Sequence, residues 1–292
     1  MEVFRFQAIG TEWNLSLEDE NRIFDEPLKK AILEEMEIFE NRFSRFLPES
    51  EANAFRDAKP GTYTISPELA ELLKTGETLC TLTDGAYDPG IGKLLEATGY
   101  DTDYRFEPKA EAIENFQIPK WKLEGQKLTL DGPLVFDFGG IGKGYGIDLV
   151  ASVLRSHGCQ YFLVEAGGDM VGTTKKDGTP FRIALEWPGK TDTAAGIVEL
   201  KNEALAVSDS FRRRWGAWHH ILDPVGKKPV ERVIGCAALA PSAFQADCMT
   251  SGLFLGPEEK YGTLSRAFKA SYIVFQNDGI VRVSEDWKGE LF

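Results

Sequence analysis

Cysteine and long apolar runs are both scarce in this 292-residue chain. Its four cysteines, Cys80, Cys159, Cys236 and Cys248, are scattered and form no CxxC pair, which excludes a disulfide scaffold and a redox or thiolate-zinc motif. They read as small buried thiols of a protein from a reducing compartment. No stretch approaches the roughly 20 apolar residues that cross a bilayer, so no membrane span is expected. The start, Met1-Glu2-Val3-Phe4-Arg5-Phe6, lacks a basic segment followed by an apolar one and reads as a strand, not a secretory leader. A cytoplasmic location is therefore expected, with export the alternative if a leader has been removed. Positive charge is also short: 33 Lys and Arg face 46 Asp and Glu, a net charge of −13. Such a surface repels phosphate-rich partners, so neither nucleic acid nor anionic lipid is expected, although a local basic pocket is allowed.

What is present is an ordinary globular composition, in a chain long enough to bury a substantial core. Phe4–Phe6 and Trp13–Leu17 alternate apolar and polar residues around Gly10, the pattern of a hairpin. Leu28, Ile32, Leu33, Met36, Phe39 and Phe43 recur every three or four residues and predict a long amphipathic helix. Ser66-Pro67 starts a second helix, with a serine to cap free N–H groups and a proline for the first turn. Leu69, Leu72, Leu73, Leu79 and Cys80 give it an inner face. Short strands are expected at Lys127–Leu130, Val135–Phe138, Tyr161–Val164, Arg182–Glu186, Ile197–Leu200, Ile234–Ala240, Tyr272–Phe275 and Ile280–Val283. Helices are expected at Tyr145–Leu154 and Ala243–Leu255, and Thr98–Lys120 is a polar, aperiodic excursion of the kind an insertion makes. Strands and helices without regular βαβ alternation predict an α+β fold of mixed or antiparallel sheets and packed helices. Residues 1–292 are expected to form one compact unit, with two lobes allowed.

Four segments carry the chemistry. Asp137-Phe138-Gly139-Gly140-Ile141-Gly142-Lys143-Gly144-Tyr145 follows an apolar stretch and precedes a helix. Glycines let a backbone approach a ligand, helix-start N–H groups favour an anion, and Lys143 would add a mobile positive charge beside a phosphate. The same residues also make a plain glycine turn with a solvated lysine, and they match neither the P-loop nor GxGxxG. In Glu165-Ala166-Gly167-Gly168-Asp169-Met170 the aspartate can simply accept backbone N–H groups in a tight turn. His219-His220-Ile221-Leu222-Asp223-Pro224 holds two of the three histidines, which face opposite ways if they lie on a strand. From Pro241 to Phe254, Asp247 and Ser251 stand four residues apart on one helix face. A carboxylate and a hydroxyl one turn apart can hold a hard cation, or can be an ordinary polar face.

In order and content these segments resemble the ApbE-type FAD:protein FMN transferases. That family's hallmarks are a D-x-G-G-x-[AG]-K-G loop, an A-G-G-D turn, an H-[IL]-[IL]-D-P segment and an A-D-x-x-x-[ST] helix. Ile9-Gly10-Thr11, Phe43-Ser44-Arg45-Phe46-Leu47-Pro48-Glu49-Ser50 and Asp84-Gly85-Ala86-Tyr87-Asp88-Pro89 are similar to the family as well. The resemblance implies an ApbE-like fold with Mg²⁺ as cofactor and FAD as substrate. It implies that Asp137 and Lys143 contact FAD, and that Asp247, Ser251 and the carbonyl of Gly140 ligate Mg²⁺. Ala86, Tyr87 and Asp88 fall where the family holds the flavin nucleotide, and Phe46 falls at its aromatic position over the cofactor. Ile9 and Ile221 match pocket-lining positions, and His220 is the implied proton acceptor.

The implied reaction moves FMN from FAD to a Thr or Ser hydroxyl of an acceptor flavoprotein subunit or domain, through a phosphoester bond, and releases AMP. Hydrolysis of FAD to FMN and AMP is an alternative that uses the same groups, and a non-catalytic FAD-binding protein is another. Four departures from the family pattern stand out. Ser251 replaces the commoner threonine and keeps the hydroxyl, while Ile9 replaces a methionine. The usual Arg-Thr pair after Pro224 is missing, and Asp209 puts an extra carboxylate in the Ala206-Val207-Ser208-Asp209-Ser210 segment. These last two bear on acceptor recognition more than on FAD binding.

Overall fold

The computed structural model describes residues 2–19 and 22–292. The hairpin predicted around Gly10 forms from β1 (Glu2–Ala8) and β2 (Thr11–Leu17), with Phe6 opposite Trp13. α1 (Glu26–Phe43) starts where Asp25 accepts the Leu28 N–H at 3.0 Å, with Pro27 in its first turn. Leu28, Ile32, Met36, Phe39 and Phe43 are its buried stripe. Leu33 was expected on that stripe, but it is 44% exposed, because the neighbour of Ile32 lies about 100° further round the helix.

β3 (Gly61–Thr64) leads to α2 (Pro67–Leu82), which Ser66 caps by accepting the Leu69 N–H at 3.1 Å. Two short helices follow, α3 (Gly92–Ala97) and α4 (Ala110–Glu114), and then β4 (Trp121–Glu124) and β5 (Lys127–Leu130), which pair with each other and with β3. Apart from α4, 98–120 is irregular as expected. Val135–Phe138 was expected to be a strand and is not one. The segment is extended and mostly buried, but its backbone bonds go to three separate places: Leu134 N to Phe55 O, Gly92 N to Val135 O, and Asp137 N to Pro89 O. Its apolar run therefore lines the core without joining a ladder.

α5 (Gly142–Ser156) precedes β6 (Phe162–Ala166) and β7 (Asp169–Gly172). The long hairpin β8 (Phe181–Trp187) and β9 (Lys190–Leu200) follows, then β10 (Glu203–Asp209). Two small hairpins come next, β11 (Arg214–Trp215) with β12 (Trp218–His219), and β13 (Leu222–Asp223) with β14 (Lys228–Pro229). The chain ends through β15 (Val233–Ala240), α6 (Ala243–Leu255), α7 (Tyr261–Phe268), β16 (Ser271–Gln276), β17 (Val281–Val283) and β18 (Glu290–Leu291).

Eight strands form one sheet in the order β1-β2-β6-β7-β10-β15-β16-β17, with every neighbouring pair antiparallel. Side chains alternate across it. Ala204, Ala206, Ala238 and Ala240 face a large core with α1, α2, α5 and α6, whereas Leu205, Ala237 and Leu239 face a second cluster with Phe181, Leu185 and Val198 of the β8–β9 hairpin. α6 is buried on nearly every side, from Ala246 to Phe254. A helix enclosed in this way can carry polar groups only if they are paired or functional. All four cysteines are free, and no helix among the described residues is long and apolar enough to cross a membrane.

Candidate active site

The site is built where α5 crosses α6. Gly144 permits this crossing, since a Cβ there would lie 2.2 Å from the Ala243 carbonyl oxygen and 2.7 Å from Asp247 Cβ. The two helices also cap one another. Asp148 of α5 accepts the Ala243 and Phe244 N–H groups at 3.0 and 2.9 Å, and Asp247 of α6 accepts the Gly144 N–H at 2.8 Å. α5 has no side-chain cap of its own at Ile141, so an acid from a distant helix serves its first turn.

Asp247 is 2% exposed, and burial pushes its carboxyl up to about 7, with Lys143 opposing and Asp169 adding to the rise. Lys143 Nζ sits 4.0 Å from Asp247 and is ion-paired with Asp169, which is 1% exposed and also accepts the Val207 N–H at 2.9 Å. Burial pulls the Lys143 ammonium down, but the two carboxylates outweigh it and raise its pKa overall. One helical turn beyond Asp247, the Ser251 hydroxyl donates to the Gly140 carbonyl oxygen. Gly140 has no room for a side chain, since a Cβ would lie 2.9 Å from Ser251 Oγ and 3.2 Å from the Tyr87 ring.

Among the described residues no group of three or more His, Cys, Asp or Glu side chains is placed to hold a metal. A cation site here must therefore recruit neutral oxygens. The Asp247 carboxylate, the Ser251 hydroxyl and the Gly140 carbonyl form such a set, and all-oxygen donors with one buried, under-compensated charge suit a small hard cation.

Other predicted residues surround this centre. The Tyr87 hydroxyl is buried without a hydrogen-bond partner beside Gly140. Asp88 caps its own turn, accepting from Gly90 N at 2.7 Å and Trp121 Nε1 at 3.3 Å, and Ala86 N donates to Thr83 O. Asp137 holds the glycine loop through Gly139 N at 2.9 Å and meets Arg45 Nε at 2.5 Å. Arg45 in turn lies 4.1 Å above the Phe46 ring and 5.0 Å above Tyr100. Both Arg45 and Phe46 line a charged cavity of about 910 Å³, but Tyr87, Gly140, Lys143, Asp247 and Ser251 do not, so this cavity adjoins the centre without containing it. Ile9 and Gly10 both have positive φ, +46° and +69°, in the tight β1–β2 turn. That conformation costs a β-branched residue about 1–2 kcal/mol, and the Ile9 N–H is held by Glu40 at 2.6 Å.

Opposite faces were expected of the two histidines if both lay on a strand, but only His219 belongs to one. His219 is buried, its Nε2 3.0 Å from the Val230 carbonyl and its Nδ1 accepting from Ile221 N at 3.2 Å. His220 Nδ1 is buried with no partner, and burial, then the Arg213 charge, lowers its pKa to about 3. The imidazole is thus neutral and has a free nitrogen. Three participants were not singled out from the sequence as site residues: Asp169, Arg45 and Arg213. Asp169 does accept a backbone N–H, as its glycine turn suggested, but its pairing with Lys143 spans 26 residues and no local pattern announces it.

Fold and geometry define an α+β protein in which a glycine-loop ammonium is shared by two buried carboxylates, one helical turn from a hydroxyl bound to a glycine-loop carbonyl. The chain belongs to the ApbE family, whose sequence model matches residues 9–273. It is 29% identical over 269 residues to the FAD:protein FMN transferase of Vibrio cholerae serotype O1, covering 87% of this chain and 80% of that one. It is 25% identical over 293 residues to the FAD:protein FMN transferase of Escherichia coli K12, covering 93% and 83%. Among solved structures, the flavin transferase ApbE from Vibrio cholerae superposes with a TM-score of 0.85 at 27% identity, over 98% of this chain and 97% of that one. The ApbE protein of Thermotoga maritima gives 0.83 at 26% identity, over 97% and 96%.

Proposed function

We propose that this enzyme is an FAD:protein FMN transferase that moves FMN from FAD to a Thr or Ser hydroxyl of an acceptor protein, with Mg²⁺ as cofactor and AMP as leaving group. One observation carries the reading: on α6, Ser251 meets the Gly140 carbonyl and Asp247, one turn earlier, lies 4.0 Å from Lys143, in a chain whose relatives are FAD:protein FMN transferases. Asp247, Ser251 and Gly140 would hold Mg²⁺, which supplies charge neutralisation to a phosphate under attack. Lys143, raised by its two carboxylates and therefore charged, would offset charge on the transferred phosphoryl oxygens. Tyr87, Phe46, Ile9 and Ile221 would bound the flavin nucleotide, with Asp88 and Asp137 holding the turns on which they depend. The neutral His220 would accept the proton of the attacking hydroxyl. The hydroxyl oxygen forms a bond to the FMN phosphorus, the bond from that phosphorus to the bridging oxygen breaks, and AMP takes the proton as it leaves. Phosphoryl transfer of this kind needs positioning and charge stabilisation, with no covalent enzyme intermediate.

The test is intact-mass analysis of a threonine-bearing acceptor peptide incubated with FAD, Mg²⁺ and the protein. The peptide should gain one FMN less water. Asp247→Asn keeps an acceptor for Gly144 N–H, so it should fold, yet activity should fall at least about 100-fold. FMN and AMP released in equal amounts with an unlabelled peptide would mean hydrolysis instead, and normal activity of Asp247→Asn at low Mg²⁺ would remove the metal site from α6.

A further inference from the structure

Asp209 stands where this chain departs from its family's pattern, and the run Arg212-Arg213-Arg214 follows it closely. Asp209 and Arg212 are paired, and Arg214 is left to solvent. Asp209 Oδ1 accepts the Phe211 and Arg212 N–H groups at 2.7 and 3.0 Å, which folds the turn. Its carboxylate also pairs with Arg212 at 3.2 Å, and Arg212 reaches Glu186 at 2.8 Å. Arg214 is exposed, with its guanidinium 5.8 Å from the Phe211 ring.

Arg213 is different. β11 and β12 pair Arg214 with His219 and Trp215 with Trp218. Just beyond this pair, His220 follows β12 and Arg213 precedes β11. The one side-chain contact of Arg213 is a long one, Nη1 to the Tyr100 hydroxyl at 3.5 Å. Among the described residues no carboxylate lies within ion-pair distance of Arg213, whereas Arg45, Lys143 and Arg212 are all matched. The Arg213 charge disfavours the protonated forms of His220 and Lys143 and favours the Tyr100 phenolate.

A half-buried guanidinium with no carboxylate within ion-pair distance and one long contact to a neutral hydroxyl is poorly compensated and suits an incoming anion. Lys143 cannot play that part alone, because it is shared between Asp169 and Asp247 and the three together carry a net negative charge. We propose that Arg213 binds the pyrophosphate of FAD as the second protein cation of the phosphate site, adjacent to the proton acceptor. This assignment rests on the flavin-transfer reading above. The planar fork of a guanidinium matches two phosphate oxygens, and it would meet the charge that moves onto the departing AMP.

The experiment is fluorescence titration of FAD and riboflavin into wild type, Arg213→Ala, Arg213→Lys and Arg212→Ala, with FMN transfer to the threonine peptide followed in parallel. Thermal unfolding serves as the folding control. Arg213→Ala should bind FAD about 10-fold more weakly, as expected for a lost charge-assisted contact, and its KM for FAD should rise. Riboflavin, which has no phosphate, should bind as before. Arg213→Lys should recover part of the FAD affinity, and Arg212→Ala should retain it. Unchanged FAD affinity and KM in a folded Arg213→Ala would overturn the assignment, as would an equal loss of riboflavin affinity. Wild-type protein that bound no FAD would overturn the functional reading itself, and this assignment with it.

Discussion

At the scale of single residues, adjacent histidines have opposite fates: His219, in β12, turns inward to the Val230 carbonyl, whereas His220 lies beyond the strand and feels the Arg213 charge. His219 is structural in its contacts, with both ring nitrogens engaged. His220 keeps a buried nitrogen without a partner, an arrangement that is costly unless something else uses it. His220→Gln should therefore leave FAD binding close to normal and slow transfer about 100-fold or more, the usual cost of losing a general base. His219→Gln should instead lower stability by about 1–3 kcal/mol through its unsatisfied backbone partners, with transfer per folded molecule little changed. Rate assays beside urea unfolding separate the two outcomes. The reverse pattern would mean that the faces of this hairpin are used the other way round.

Among the elements, the α5–α6 crossing decides whether there is a site at all. Asp148 and Asp247 cap each other's helices, and Gly144 lets the backbones meet. Gly144→Ala would press a methyl group against the Ala243 carbonyl, which cannot retreat without moving the start of α6. We expect a loss of about 1–3 kcal/mol from this overpacking and a larger fractional loss of transfer, because Asp247 moves with the helix. Gly262→Ala makes a suitable control, since its added Cβ would meet only the Arg266 side chain at 3.6 Å. Equal stability and equal activity in the two variants would show that the crossing is looser than its geometry implies.

Across the whole molecule, burial keeps both His219 and His220 below their ordinary value of 6.5. Above pH 6.5 neither state of the chain protonates them, and they impose no pH slope. Below it the unfolded chain binds protons that the folded chain refuses, so stability present above pH 6.5 is lost as pH falls toward about 3 for His220. The slope from one such residue is at most about 1.4 kcal/mol per pH unit, and less where a ring keeps some solvent contact. Buried Asp88, Asp148 and Asp247 have raised pKa values and act in the opposite direction, so the total curve mixes signs. The difference between wild type and His220→Gln isolates the imidazole. In urea unfolding it should be near constant from pH 7 to 8 and should shift in favour of the variant from pH 6 to 4. A difference that stays flat to pH 4 would mean that His220 is open to solvent.

Much of the scaffold was legible because its signals are local. The β1–β2 hairpin, the α1 stripe, the Ser66 cap and the full span of α6 each depend on residues within a few turns of one another. So did the Asp247–Ser251 pairing, which follows from helical periodicity alone. The Val135–Phe138 run misled because an apolar stretch records burial, and burial is shared by ladder strands and by extended chain bonded to scattered loops. Asp169 on Lys143 and Arg45 on Asp137 were decided by tertiary structure, across 26 and 92 positions. Periodicity and capping determined the elements and the spacing of the donor groups on them. Which charge faces which was left to long-range packing, because ion pairing depends on distance in space and local sequence carries no record of it.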